Sequence, residues 1–232
     1  LKPGKFSTRM ETCWLWHSEE YTKEWTRING DSIIFIFTDM LPQTLTMPPQ
    51  LELSDDDLFD LCSTNKEMVI ERNADKQLII MAPTGGFTSS QNIEISAEIA
   101  LWNRKTNFGK AFDSNGGFLL PNGAMRAADA AWITKEKWNS LTHEQKEKFL
   151  PLCPDFVIEL RSKSDSLKYL MEKMEEWRDN GCSLGWLIDP YEHKSYIYKS
   201  GFELEIIEGL HHKLSGEDVL PGFELDLTLL KS

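Results

Sequence analysis

From Leu51 onward the apolar positions fall into short blocks whose period switches between two and about 3.6, the mark of alternating strands and helices. Ser54 can cap a short helix running to Leu61, with Asp55, Asp56 and Asp57 in its first turn. Met68–Arg72 and Gln77–Ala82 flank a polar tetrad, Asn73–Lys76, and predict a hairpin. Gln91–Arg104 fits two periods. Ile93, Ile95, Ala97 and Ile99 alternate as in a strand, whereas Ile95, Ile99 and Trp102 share a helix face. The helix is preferred because Glu94 and Glu98 then lie at i,i+4, with Thr88, Ser89 or Ser90 as its cap.

Short strands follow at Lys110–Phe112, Phe118–Leu120 and Ala127–Ile133, and the last of these carries Asp129. Thr142 and Gln145 form a capping box that opens a charged helix through Phe149. Phe156–Arg161 reads as a strand. Asp165–Asn180 reads as a helix with Leu167, Leu170, Met171, Met174 and Trp177 as its apolar stripe and Gly181 as its stop. Leu184–Ile188 is a buried strand closed by Asp189 and Pro190, and Ser195–Tyr198 pairs with Phe202–Ile207. The closing stretch from Leu214 to Leu227 predicts an ordered loop and an edge strand. Together these elements predict a mixed α/β (α+β) fold.

Residues 1–46 break this pattern. Trp14, Trp16 and Trp25 stand among polar residues with no sustained period, so this stretch is expected to be an N-terminal extension, either poorly ordered or a small helix on the domain edge. Residues 47–232 are then one domain.

One position in the pattern is chemically odd. Glu159 sits inside Phe156–Leu160, and an unpartnered carboxylate in a buried strand costs several kcal/mol. An ion pair with Arg161 does not resolve this, because side chains two apart on a strand run parallel. Asp129 is a second carboxylate in an apolar segment, and Arg161, Lys163, Lys168 and Lys173 follow Glu159. Two strand-borne carboxylates near a lysine suit a magnesium-dependent phosphodiesterase. For Asp129 a turn role, for Lys173 a solvated helix position and for Glu94 a surface position remain open.

Composition narrows the classes. The 232 residues are 41% hydrophobic, ordinary for a globular chain, but the net charge is −12. A broad non-specific DNA grip is usually basic, so any nucleic-acid contact here is expected to be local and weak. Cys13, Cys62, Cys153 and Cys182 are scattered without a C-x-x-C pair, which excludes a clustered zinc site and favours reduced thiols in a cytoplasmic protein. The run Ile33–Phe37 is too short to span a bilayer, and no membrane partner is expected.

The stretches Pro83–Ile95, Gly117–Ile133, Cys153–Asp165, Glu172–Trp177, Asn180–Pro190 and Leu214–Leu227 resemble, in that order, the Uma family of restriction-endonuclease-like proteins. The resemblance spans roughly residues 45–230. It implies the PD-(D/E)xK nuclease fold: a restriction-endonuclease-like core, a mixed central β-sheet flanked by helices with additional β-hairpins. It also implies an endonuclease that hydrolyses DNA with Mg2+, or Mn2+ in its place, and a homodimer addressing two strands.

In this resemblance the metal carboxylates fall on Asp129 and Glu159, with the Leu160 carbonyl as a further ligand. Ala128 stands where the family has proline. The usual lysine position holds Arg161, which could clamp a phosphate oxygen, and the lysine moves to Lys173 on the next helix. Glu94 is the best match for an acidic helix residue that completes such sites. The substitutions at Ala128 and Arg161, with the acidic charge, leave a rival: a catalytically degenerate copy serving as a binding or assembly module.

Overall fold

Residues 24–28, 32–36, 42–48, 51–81 and 83–231 are described by the computed structural model. The chain forms two units, Leu1–Leu41 and Pro42–Ser232. In the first, β1 (Glu24–Ile28) and β2 (Ser32–Ile36) pair antiparallel; the rest of the expected extension up to Leu41 lies outside the described residues.

The second unit opens with β3 (Gln43–Leu45), a strand that belongs to a sheet even though the sequence pattern placed it in the extension. Ser54 caps α1 (Asp55–Thr64) through a reciprocal capping box with Asp57, and the helix runs three residues past the expected end. The predicted hairpin is β4 (Val69–Arg72) and β5 (Leu78–Met81).

α2 spans Gly86–Thr106, starting earlier than its sequence suggested. Its N-cap is Gly85 without a side-chain bond, so none of Thr88, Ser89 and Ser90 is the cap. Helical periodicity wins: Ile95, Ile99 and Trp102 are buried, and Ile93, which completed the strand pattern, is 64% exposed. Asn107 ends the helix in the left-handed conformation.

After β6 (Gly109–Asp113) and β7 (Gly117–Leu119) comes the largest departure from the pattern. Ala127–Ile133 is not one strand. β8 (Met125–Ala127) pairs with β7 and β4, and β9 (Ala130–Thr134) pairs with β6 and β10 (Phe156–Leu160). The chain changes sheets at Ala128 and Asp129.

α3 (Lys135–Ser140) and α4 (His143–Lys146) follow β9. The Thr142 capping box exists, but α4 stops after one turn, well short of Phe149. The remaining elements are α5 (Leu167–Asp179), β11 (Leu184–Asp189), β12 (Lys194–Lys199), β13 (Glu205–Glu208), β14 (Lys213–Ser215), β15 (Glu224–Asp226) and a 3-10 turn at Leu227–Leu230. The closing strand β15 pairs with β14 in a separate two-stranded ladder.

Two larger sheets result. One has the order β3-β5-β4-β8-β7; the other, β13-β12-β11-β10-β9-β6, is mixed because β10 and β11 run parallel. Every residue of β10 is buried, so its two faces serve two cores. Phe156, Ile158 and Leu160 pack with Ile95, Ile99 and Trp102 of α2 and with Phe223 and Leu225. Val157 points the other way, toward Leu170, Met174 and Trp177 of α5. A period of two puts Glu159 on the Val157 side, facing α5. Among the described residues no helix is long and apolar enough to cross a membrane, and Cys62, Cys153 and Cys182 are free thiols.

Candidate active site

Lys173 belongs to the apolar face of α5. Leu170, Lys173, Met174 and Trp177 follow an i, i+3, i+4, i+7 stripe, and all four are buried. A buried ammonium must find acceptors. Its Nζ lies 2.9 Å from Glu159 Oε1, 2.9 Å from Glu71 Oε1 and 2.7 Å from the Ala127 carbonyl oxygen. That gives one neighbour for each of its three N–H groups. Burial alone would lower the lysine pKa; the charges of Glu159 and Glu71 outweigh it, and the net shift is upward. Lys173 is therefore a fixed cation.

Glu159 Oε1 also accepts a hydrogen bond from Trp177 Nε1 at 2.9 Å. Burial pushes its carboxyl up to about 7; Lys173 opposes the rise, while Asp129 and Glu71 add to it. The oddity noted in the sequence thus has its answer in the next helix.

Asp129 occupies the junction between the two sheets. β9 pairs with β10 only as far as Ala130 opposite Ile158. Beyond that pair, the Leu160 N–H has lost its strand partner and donates to Asp129 Oδ2 at 2.7 Å instead. Asn92 Nδ2 of α2 donates to Oδ1 at 2.8 Å. Burial raises the Asp129 pKa, with the Leu160 N–H, Lys173 and Asn92 pulling against it.

Glu71 on β4 was missed in the sequence and is 0% exposed. Besides Lys173 it accepts from the Ala127 N–H at 3.1 Å and from Arg126 Nη1 at 3.0 Å. Burial works to raise its pKa, but Lys173 and Arg126 overcome it and hold the carboxylate below its ordinary range. Arg126 Nε reaches Glu176 Oε2 at 2.6 Å. The signal was present: Glu71 is an acid inside an apolar strand, the same anomaly that marked Glu159.

Two expected residues stand apart. Glu94 is on α2 but exposed, and its helix reaches Asp129 through Asn92. Arg161 lies just past the end of β10, where Nη1 pairs with the buried Asp189 at 2.6 Å and Nε donates to the Asp165 carbonyl at 3.2 Å. Its guanidinium is committed to holding the ends of β10 and β11 together.

Among the described residues, no three His, Cys, Asp or Glu side chains gather as a metal-binding group. Asp129 and Glu159 nevertheless offer two carboxylates, which is as many as magnesium usually takes from a protein. Both Glu159 contacts fall on Oε1, and Asn92 Oδ1, beside Asp129, is buried without a hydrogen-bond partner. This oxygen-only donor set fits a hard divalent cation.

Comparison with known proteins agrees with this architecture. The model of the Uma2 family, described as "Putative restriction endonuclease", matches residues 55–228. The fold is similar to the crystal structure of a protein described as a putative nuclease belonging to DUF820 from Anabaena variabilis ATCC 29413. That protein is 19% identical, with a TM-score of 0.60, over 70% of this chain and 89% of the other. No curated protein matches in sequence.

Proposed function

The chain belongs to the Uma2 family, and from that premise we propose that it is a divalent-metal-dependent endonuclease that hydrolyses DNA phosphodiester bonds, with Mg2+ as the cation and Mn2+ able to replace it. The observation that supports this is the convergence of Asp129 from the β8–β9 junction, Glu159 from β10 and Lys173 from α5. Stability alone does not call for it, since buried ion pairs are often no better than an apolar replacement.

Asp129 and Glu159 would hold the cation. When bound, it supplies charge stabilisation at the scissile phosphate and a water of lowered pKa. The chain's own groups are set before substrate arrives. Two N–H donors fix the Asp129 carboxylate, and Lys173 and Trp177 fix that of Glu159. Such preorganisation avoids reorienting dipoles during the reaction. Lys173, held charged by two carboxylates, acts as a stationary positive charge that offsets the developing negative charge on the phosphate. It is unsuited to removing a proton from water. Arg161, engaged with Asp189, takes no part in holding the phosphate.

The test is nicking of supercoiled plasmid with Mg2+ or Mn2+ by the wild type, Asp129→Asn, Glu159→Gln and Lys173→Ala. Nicking by the wild type alone is expected. Equal nicking by all four would overturn the site. Metal-independent DNA binding by all four with no nicking would favour a degenerate binding module.

A further inference from the structure

Asn92 has one end of its carboxamide in use. Nδ2 donates to Asp129 Oδ1, and α2 is anchored one residue earlier by Gln91 Nε2, which donates to the Leu230 carbonyl at 2.6 Å. The other end, Oδ1, is buried with no partner. A buried acceptor left unsatisfied costs about 1–3 kcal/mol, and such a group calls for a water or an ion.

The neighbouring carboxylates need what that oxygen offers. Magnesium completes its octahedron with oxygens beyond one or two carboxylates. Among the described residues no third acid gathers with them as a metal-binding group, and Glu71 is turned onto Lys173 and Arg126. A third carboxylate would also add a like charge beside those of Asp129, Glu159 and Glu71. A neutral amide oxygen adds a donor without that penalty.

We infer that Asn92 Oδ1 is a further protein oxygen ligand of the divalent cation, beside the Asp129 and Glu159 carboxylates, so that Asn92 takes the role expected of an acid on this helix while its Nδ2 holds Asp129 in place. This rests on the metal-site reading above, and the experiment separates the two. Mn2+ binding and the number of waters on bound Mn2+ are measured by water-proton relaxation for the wild type, Asn92→Ala, Asn92→Asp and Asp129→Asn, with melting in EDTA confirming that each variant is folded.

The wild type is expected to bind Mn2+, and Asp129→Asn to lose it. Asn92→Ala should bind at least about tenfold more weakly with one additional water on the ion, and Asn92→Asp should keep the wild-type hydration. A purely orienting Asn92 would weaken binding in Asn92→Ala without changing the hydration, and that result would overturn the inference alone. So would wild-type affinity in Asn92→Ala. No Mn2+ binding by the wild type, or undiminished binding by Asp129→Asn, would overturn the metal site and the inference with it.

Discussion

Replacing Lys173 with methionine keeps an unbranched side chain on the buried stripe of α5 and removes the charge and its N–H donors, including the one to the Ala127 carbonyl. Glu71 and Glu159, with side chains 0% and 4% exposed, then lose the cation they share. Breaking a buried pair from one side costs about 3–5 kcal/mol. The two carboxylates are affected unequally. Glu71 retains Arg126 and the Ala127 N–H; Glu159 retains only Trp177 Nε1. Glu159 can escape by taking up a proton, since its carboxyl already sits at about 7 and rises further without Lys173. The cost is therefore pH-dependent: about 3 kcal/mol or more at pH 8, and less at pH 6, where the carboxyl is neutral with or without the lysine. Urea unfolding followed by tryptophan fluorescence at both pH values measures it. A cost below about 1 kcal/mol at both, the level of an exposed pair, or a larger cost at pH 6, would refute the assignment of Lys173 as the shared buried cation.

Two further expectations concern Glu159 and the Arg161–Asp189 pair at the end of its strand. The Glu159 carboxyl is raised from 4.5 to about 7, so the folded state holds this proton more tightly than the unfolded chain does. That favours folding below pH 4.5 and is lost as the pH rises through 7, a change of about 3 kcal/mol. Glu159→Gln lacks this slope, so the stability of the wild type minus that of the variant should fall between pH 5 and pH 8 in denaturant titrations; a flat or rising difference would contradict it. Arg161→Ala leaves Asp189, 0% exposed, with only the Tyr191 and Glu192 N–H donors. It should cost about 1.5–3 kcal/mol yet leave metal-dependent nicking unchanged at temperatures where the variant is folded; lost nicking with unaltered stability would restore Arg161 to the phosphate.

The sequence carried much of this because the strands and α5 are patterned by burial. Phe156–Leu160 and the Leu170–Trp177 stripe are legible since each face meets a separate core. Glu159 stood out against that background. What remained hidden depends on long-range geometry. The sheet change at Ala128 and Asp129 leaves no periodic trace, because both flanking strands are short and largely buried and two residues suffice to leave one sheet and enter the other. The helix of Glu94 was identified, but the side chain that reaches Asp129 is Asn92, and rotation about the helix axis depends on its packing against β10 and the closing tail. Arg161 looked available because its partner, Asp189, lies 28 positions away on a parallel neighbour. Glu71 was overlooked since its partners Arg126 and Lys173 come from β8 and α5, elements far along the chain.

The central claim is that Asp129 and Glu159 serve one catalytic centre. Initial rates of Mg2+-dependent plasmid nicking for Asp129→Asn, Glu159→Gln and the double variant test it most directly. Residues acting as a unit lose activity non-additively, so each single variant should abolish most nicking and the double should be no worse than the weaker single. Losses that multiply in the double variant, or wild-type nicking by either single variant, would contradict it.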